Sequence, residues 1–135
     1  MATKVFTDTN IIIDLLQQRP FDLDLVLNLV SLAENGSIDL YISESVITNA
    51  LNITKLNTHI ERLLSFSKVI CINEDSIITA LHSGFTDKED AILYFGALNK
   101  KLDYFITRNP KDFTKHSLFQ LPVVSIKQFF KLYLK

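Results

Sequence analysis

Short apolar runs alternate along the chain with longer segments in which apolar residues recur three and four positions apart. The longer segments predict helices, such as the one that contains Leu25, Val26, Leu29 and Val30. The short runs predict five strands, at 4–7, 40–42, 69–72, 104–107 and 122–124. Strands that alternate with helices are typical of a parallel sheet covered on both faces. The pattern therefore predicts an α/β fold, a three-layer α/β/α sandwich around a central parallel sheet of about five strands.

Local signals predict where several helices begin and end. Arg19-Pro20 follows the end of the first helix, and Asn35-Gly36 supplies a stop for the second. Thr86 to Glu89 has the pattern of a capping box, in which the Thr86 hydroxyl caps the helix and Glu89 reaches back to the Thr86 backbone. Two helices are predicted between the second and third strands, so this crossover is longer than the others.

A chain of 135 residues has the usual size of one domain, and a composition of 47% apolar and 21% charged residues excludes a disordered chain. The chain contains neither linker nor repeat, so one domain is predicted over residues 1–135. No apolar stretch approaches the ~20 residues of a membrane span, and no signal peptide is recognisable. Cys71, the single cysteine, cannot form an internal disulfide and is predicted to be buried in a strand. We therefore expect a cytoplasmic protein.

The formal net charge of the chain is −1. A protein that relies on broad electrostatic attraction to nucleic acid is usually basic. Any contact with nucleic acid must therefore come from a local patch or from a bound metal ion.

Acidic and polar residues follow the first and fourth predicted strands. Asp8 comes directly after the first strand, while Thr107, Asn109 and Asp112 lie at and beyond the end of the fourth. Asp90 lies near the start of a helix between them. The carboxyl ends of parallel strands meet in one crevice of an open α/β sheet. Carboxylates that converge there without basic partners favour a hard divalent cation, Mg²⁺ or Mn²⁺.

The acids near the first strand also have a structural interpretation. Asp8 can cap the following helix, unless Asn10 takes that place and leaves Asp8 free for the crevice. Asp14, one turn beyond Asn10, is expected to be a solvated helix residue.

The later acids have alternatives as well. Asp87 in the first turn of a helix interacts favourably with the helix dipole, whereas Asp90 directly precedes the apolar face and is the better functional candidate. The segment Asn109 to Asp112 is also an ordinary turn sequence. Its position, together with Asp8 and Asp90, favours convergence on one site.

Other kinds of site are not supported by the residues. There is no glycine-rich phosphate loop, and the three histidines lack metal-ligand spacing: His59, His82 and His116. A receiver-type phosphoacceptor needs an acid pair after the first strand, but Asp8 is followed by Thr9. A phosphatase with Asp8 as nucleophile needs a second aspartate at the position of Asn10.

Four motifs, in this order and spacing, resemble the PIN-domain family, in particular the small VapC-like ribonuclease toxins of bacterial toxin–antitoxin pairs. They are Phe6 to Asn10, Tyr41 to Asn49, Phe85 to Ala91 and Asp103 to Phe113. The resemblance spans nearly the whole chain, although no single motif is specific. It implies a parallel sheet between helices and an acidic cluster that holds one or two Mg²⁺ or Mn²⁺ ions and hydrolyses phosphodiester bonds in RNA.

The resemblance implies roles for individual residues. Asp8 matches the first acid of the family and Asp90 the third, and together with Asp112 they are the candidate metal ligands. Asn109 falls where many members have a fourth acid, and Thr107 matches the Ser or Thr after the fourth strand. Thr107 and Asn109 are expected to position water or phosphate.

This chain departs from the family pattern at the second acid. The position of that acid aligns with Asn49, since Glu44 lies five residues earlier and out of register. Asn49 supplies hydrogen bonds but no negative charge, so one tightly held ion is expected rather than two.

The function implied is that of a metal-dependent endoribonuclease, the toxin of a type II toxin–antitoxin pair. RNA is then the substrate, and a homodimer and a cognate antitoxin are the implied protein assemblies. The alternative is a catalytically weak or inactive PIN-like module that binds RNA or a protein partner.

Overall fold

The computed structural model describes residues 2–20, 22–54 and 57–134, with the backbone alone at Thr54. The strands are β1 (Thr3–Thr7), β2 (Ile38–Ser43), β3 (Lys68–Ile70), β4 (Tyr104–Ile106) and β5 (Val123–Val124). The helices of these ranges are α1 (Thr9–Leu16), α2 (Leu23–Glu34), α3 (Glu44–Thr54), α4 (Asn57–Phe66), α5 (Glu74–Leu81), α6 (Lys88–Asn99), α7 (Lys111–Thr114) and α8 (Ile126–Tyr133). The predicted pair of helices between β2 and β3 is present as α3 and α4.

The five strands form one parallel sheet in the order β3-β2-β1-β4-β5. The predicted three-layer α/β fold is confirmed. The chain moves outward from β1 through β2 to β3 and then crosses to β4 on the other side of β1. In open α/β sheets, ligands bind at the carboxyl ends of the strands where the order reverses. That switch point lies here between β1 and β4.

Each face of the sheet carries its own apolar core because successive strand residues point to opposite sides. On one face Phe6 packs in a cluster with Tyr94 of α6. On the other face Val5 packs with Leu29 of α2 and Phe129 of α8. All five side chains are almost fully buried, so the sheet is covered on both faces and holds the strand ends in fixed positions.

The third strand is present, but its predicted end and the predicted burial of its cysteine are wrong. β3 pairs with β2 only as far as Ile70, which lies opposite Ser43, the last residue of β2. Since β2 offers no further partner, the strand ends there and Cys71 lies beyond it, exposed rather than buried.

The predicted capping box at the start of α6 is also wrong by one residue. Asp87, not Thr86, is the N-cap, and its Oδ1 accepts hydrogen bonds from the backbone N–H of Glu89 at 2.9 Å and of Asp90 at 3.1 Å. A carboxylate accepts such bonds more strongly than a hydroxyl, and here it reaches two of the free amides.

A short helix, α7, follows β4 where an ordinary turn was the alternative interpretation. It is anchored by Phe113, whose ring is buried and lies 4.9 Å from the ring of Phe105, centroid to centroid. This contact fixes the position of the neighbouring Asp112. Among the helices of residues 2–20, 22–54 and 57–134, none combines the length and the apolar character that a membrane span requires.

Candidate functional site

Asp8 links the ends of the two central strands. Its backbone N–H donates to the carbonyl of Ile106 at 2.9 Å, and its Oδ1 accepts a 2.7 Å bond from the Thr9 N–H at the start of α1. Its Oδ2 accepts a 2.9 Å bond from the hydroxyl of Thr107. Asp8 therefore caps α1 itself, and Asn10 does not replace it. The two sequence alternatives for Asp8 are not exclusive, because one oxygen caps the helix while the other faces β4.

The Asp8 carboxylate is almost fully buried, with 5% of the residue exposed. Burial raises the pKa of Asp8 above its ordinary value, although the hydrogen bonds from Thr107 and Thr9 oppose that shift. The negative charge of Glu89 raises the pKa further, and Arg108 lowers it. Glu89 thus contributes to the electrostatic field at this site, although its predicted role was only that of a helix cap.

Asp90 is half-buried at the start of α6. Partial burial raises its pKa to about 6, with the negative charges of Asp87, Asp8, Asp112 and Glu89 acting in the same direction. Asp8 and Asp112 therefore both lie close enough to Asp90 to act on its ionisation. Like charges held together in this way favour protonation of one member or binding of a cation.

Asp90 and Asp112 line a common cavity of about 580 Å³. We call it the α6–α7 cavity, and its lining consists of Thr86, Asp87, Asp90, Lys111, Asp112, Lys115 and His116. Asp8 is not part of that lining, and lies buried beside Thr107. Of the three predicted metal ligands, Asp90 and Asp112 thus share one opening, and the charge of Asp8 acts on Asp90.

Thr107 and Asn109 lie on the loop after β4. The backbone N–H of Asn109 donates to the Thr107 hydroxyl oxygen at 3.3 Å, and that hydroxyl donates to Asp8. The Asn109 side chain is exposed and lines a separate cavity of about 600 Å³ together with Thr107 and Arg108. The loop is therefore tied to Asp8 through its backbone and the Thr107 hydroxyl.

Asn49 is half-buried in α3. Within the part of the chain that the structure describes, no hydrogen bond joins it to Asp8, Asp90 or Asp112. Its connection to the site remains an expectation from the resemblance.

Asp14 is a correction to the sequence-based expectation. It is not solvated but buried, with 2% of the residue exposed, and it pairs with Arg108 at 3.2 Å and with Arg19 at 3.8 Å. Because Arg108 directly follows Thr107, this ion pair fastens α1 to the loop that carries Thr107 and Asn109. The position of Asp14 inside the apolar run of α1 was the one signal of its burial in the sequence. Its partner Arg108 could not be recognised in the same way, because it lies 94 residues away.

The chemistry of the donor set fits a hard divalent cation. The candidate ligands are carboxylates, which such ions prefer, and their mutual repulsion is what a cation would relieve. Among the described residues, no three His, Cys, Asp or Glu side chains are grouped closely enough to hold an ion by themselves. Mg²⁺ usually keeps several waters and needs only one or two carboxylates, so Asp90 with Asp8 or Asp112 would supply enough carboxylates in number.

Fold and site together define a small single-sheet α/β domain with an acidic centre at the switch point of its strands. The profile of the PIN domain matches residues 4–111, and the chain belongs to the PIN-domain family. Proteins of this family are generally nucleases and typically depend on a divalent metal. No curated protein matches the sequence.

Solved structures share the fold. A chain of VapBC2 from Rickettsia felis, crystallised with a DNA fragment from the promoter, superposes with a TM-score of 0.65 at 17% identity, covering 91% of this chain and 98% of that one. A chain of a toxin–antitoxin complex from Klebsiella pneumoniae superposes with a TM-score of 0.64 at 26% identity, covering 90% of this chain and 97% of that one. These similarities extend over nearly the whole domain.

Proposed function

We propose that the protein is a metal-dependent endoribonuclease of the cytoplasm and the toxin of a type II toxin–antitoxin pair. The observation that carries the proposal is that Asp90 and Asp112 line one cavity, while Asp8 lies buried at the β1/β4 switch point and its charge acts on Asp90. Membership of a family of nucleases supports the reaction type. The likeness to chains from VapBC2 and from a toxin–antitoxin complex supports the biological role.

Each residue has a defined task in this proposal. Asp8, Asp90 and Asp112 would hold one Mg²⁺ or Mn²⁺ ion, directly or through water. When bound, such an ion polarises the scissile phosphate and lowers the pKa of a bound water. Thr107 keeps the Asp8 carboxylate oriented through their 2.9 Å hydrogen bond, and Asn109 positions water or phosphate. Asn49 supplies a hydrogen bond where the family has an acid.

The test is cleavage of single-stranded RNA by wild type, Asp8→Asn and Asp90→Asn in Mg²⁺ or Mn²⁺. Removing either charge should abolish metal-dependent cleavage while leaving the fold intact. Asp75→Asn is the matched control, since Asp75 is an exposed acid in the first turn of α5, and it should cleave like wild type. Full activity in both site variants, in preparations free of contaminating nuclease, would contradict the assignment.

Two protein assemblies belong to the same proposal. A near-neutral chain gains RNA affinity when dimerisation doubles a weak basic patch, so we expect a homodimer, and we expect a cognate antitoxin to bind it. Sedimentation equilibrium measures the first and should give twice the 15.4 kDa chain mass. A monomer at all working concentrations would count against the dimer.

A second candidate is a PIN module that binds RNA or protein without cleavage. Two observations favour it: Asn49 and Asn109 are neutral, and no described group of three ligating side chains is present. Calorimetric titration with Mn²⁺ separates the two functions. The nuclease should bind the ion, whereas absence of binding at millimolar Mn²⁺ would favour the module.

A further inference from the structure

The α6–α7 cavity brings basic side chains next to its acids. Lys111, Lys115 and His116 share its lining with Asp90 and Asp112. Its volume of about 580 Å³ falls within the roughly 300–1,000 Å³ of ordinary ligand pockets. The cavity can therefore take a group much larger than a metal ion, and that group meets both charge signs.

The two lysines are available to an external anion. Lys111 and Lys115 are four residues apart on α7 and its C-cap, a spacing that puts both on one side of a helical turn. Both are exposed. Across the described ranges, neither ammonium group lies within 4.0 Å of a carboxylate, although acids line the same cavity.

His116 is held at the cavity by packing. Its ring centroid lies 5.3 Å from that of Phe85, which is buried in the core. Its backbone N–H donates to the carbonyl of Phe113 at 3.0 Å. The ring also occupies the space left by Gly84, where an added Cβ would lie 2.7 Å from the His116 Cε1 and 2.8 Å from its Nδ1.

We propose that Lys111, Lys115 and His116 form the binding site for the RNA strand beside the acidic centre. The lysines contact phosphates of the strand, and the imidazole of His116 stacks on a base. Proteins that bind single strands combine positive charge along the backbone with aromatic rings under the bases. A chain with a net charge of −1 needs such a local patch. This inference rests on the proposed function and adds the place on the protein where the RNA substrate binds.

Binding is measured by the fluorescence anisotropy of a labelled single-stranded RNA in Mg²⁺, with Asp8→Asn as the non-cleaving background. His116→Ala should weaken binding about fivefold to 100-fold, the usual effect of removing one stacking ring. The affinity falls as the salt concentration rises, so a plot of log affinity against log salt has a negative slope. Lys111→Ala and Lys115→Ala should each make that slope shallower by about 0.7. His82→Ala and Lys131→Ala are the matched controls, because both side chains are exposed and lie outside that lining.

Gly84→Ala tests the position of the ring without removing a functional group. The added methyl should displace His116 and weaken RNA binding about as much as His116→Ala. In the double variant Gly84→Ala/His116→Ala the added methyl meets no ring. The RNA affinity of the double variant should therefore equal that of His116→Ala alone. Independent contributions from the two positions would contradict a role for His116 in stacking. Thermal melting of every variant confirms that the domain is folded.

The outcomes for this site and for the nuclease are distinguishable. If wild type cleaves RNA and Asp90→Asn does not, while the lysine and His116 variants bind RNA like the background protein, the binding site is overturned and the nuclease stands. If wild type fails to cleave but these variants lose RNA affinity, the nuclease is overturned and the site stands. If the variants instead lose affinity only for a poly-glutamate peptide, the surface binds an acidic protein and the proposal is overturned.

Discussion

Asp90 shows how strongly its surroundings change one side chain. Partial burial, followed by the charges of Asp87, Asp8, Asp112 and Glu89, raises its pKa to about 6 from the ordinary aspartate value of 3.8. The folded state therefore binds a proton more tightly than the unfolded chain does. Stability contributed by the neutral carboxyl is complete below pH 4, decreases as the pH rises towards 6 and is absent above it.

Asp90→Asn should therefore stabilise the domain at neutral pH in the absence of divalent cations. We expect a higher Tm than wild type at pH 7.5, because the variant carries no charge into the acidic cluster, and little difference near pH 4, where wild type is also neutral. Differential scanning fluorimetry across this range measures the effect. Asp75→Asn, in the exposed first turn of α5, should show no such gain. A lower Tm for Asp90→Asn at pH 7.5 would contradict the electrostatic explanation.

Individual side chains were predictable from the sequence only where strand order determines their position. Asp8 and Thr107 end neighbouring parallel strands, so their hydrogen bond follows from the fold. The burial of Asp14 was missed although the residue lies within an apolar run, because its partner Arg108 is distant in the chain. The N-cap of α6 was misplaced because Thr86 and Asp87 are adjacent and both can accept a backbone hydrogen bond.

At the scale of elements, Tyr94 joins α6 to the segment between α7 and β5. Its hydroxyl accepts a 2.7 Å bond from the N–H of Leu118 and donates a 2.9 Å bond to the carbonyl of Leu121. The residue is fully buried. This segment has little regular structure of its own, so one hydroxyl supplies hydrogen bonds that a helix or strand would otherwise provide.

Tyr94→Phe should loosen that segment. The change removes the partner of the Leu118 N–H and leaves the carbonyl of buried Leu121 without its hydrogen bond, and the buried carbonyl alone costs about 1–3 kcal/mol of the free energy of unfolding. Urea denaturation measures that loss, and hydrogen exchange should become faster at the Leu118 amide than in β1. Tyr133→Phe is the control, since its hydroxyl makes no hydrogen bond with the described residues. Equal stability of the two variants would contradict the role given to the Tyr94 hydroxyl.

The elements themselves were largely predictable because their apolar periodicities are clear, and the errors occur at edges. The end of β3 was predicted two residues too late because the apolar run continues past the point where β2 stops pairing. The turn after β4 contains the short helix α7 because buried Phe113 fixes it against the core. Both outcomes depend on tertiary partners, which local sequence does not reveal.

At the scale of the whole molecule, the strand order places the acids at one edge, and ions bound there should affect the stability of the entire domain. Because the unfolded chain cannot assemble this site, a cation that binds it stabilises only the folded state. At a concentration one hundred times its Kd, that contribution is about 2.7 kcal/mol. For a domain of this size, the corresponding rise in Tm is on the order of 10 °C.

Mn²⁺ should therefore raise the Tm of wild type at pH 7.5, and chelation should reverse the rise. The double variant Asp8→Asn/Asp90→Asn lacks two of the proposed ligands and should show no cation-dependent change beyond that produced by KCl at the same ionic strength. Thermal melting monitored by circular dichroism measures both proteins under identical conditions. If Mn²⁺ stabilises the double variant as much as wild type, the ion binds elsewhere and the acids at the β1/β4 switch point are not its ligands. If only wild type responds, the ion depends on those two carboxylates, whether or not RNA is cleaved.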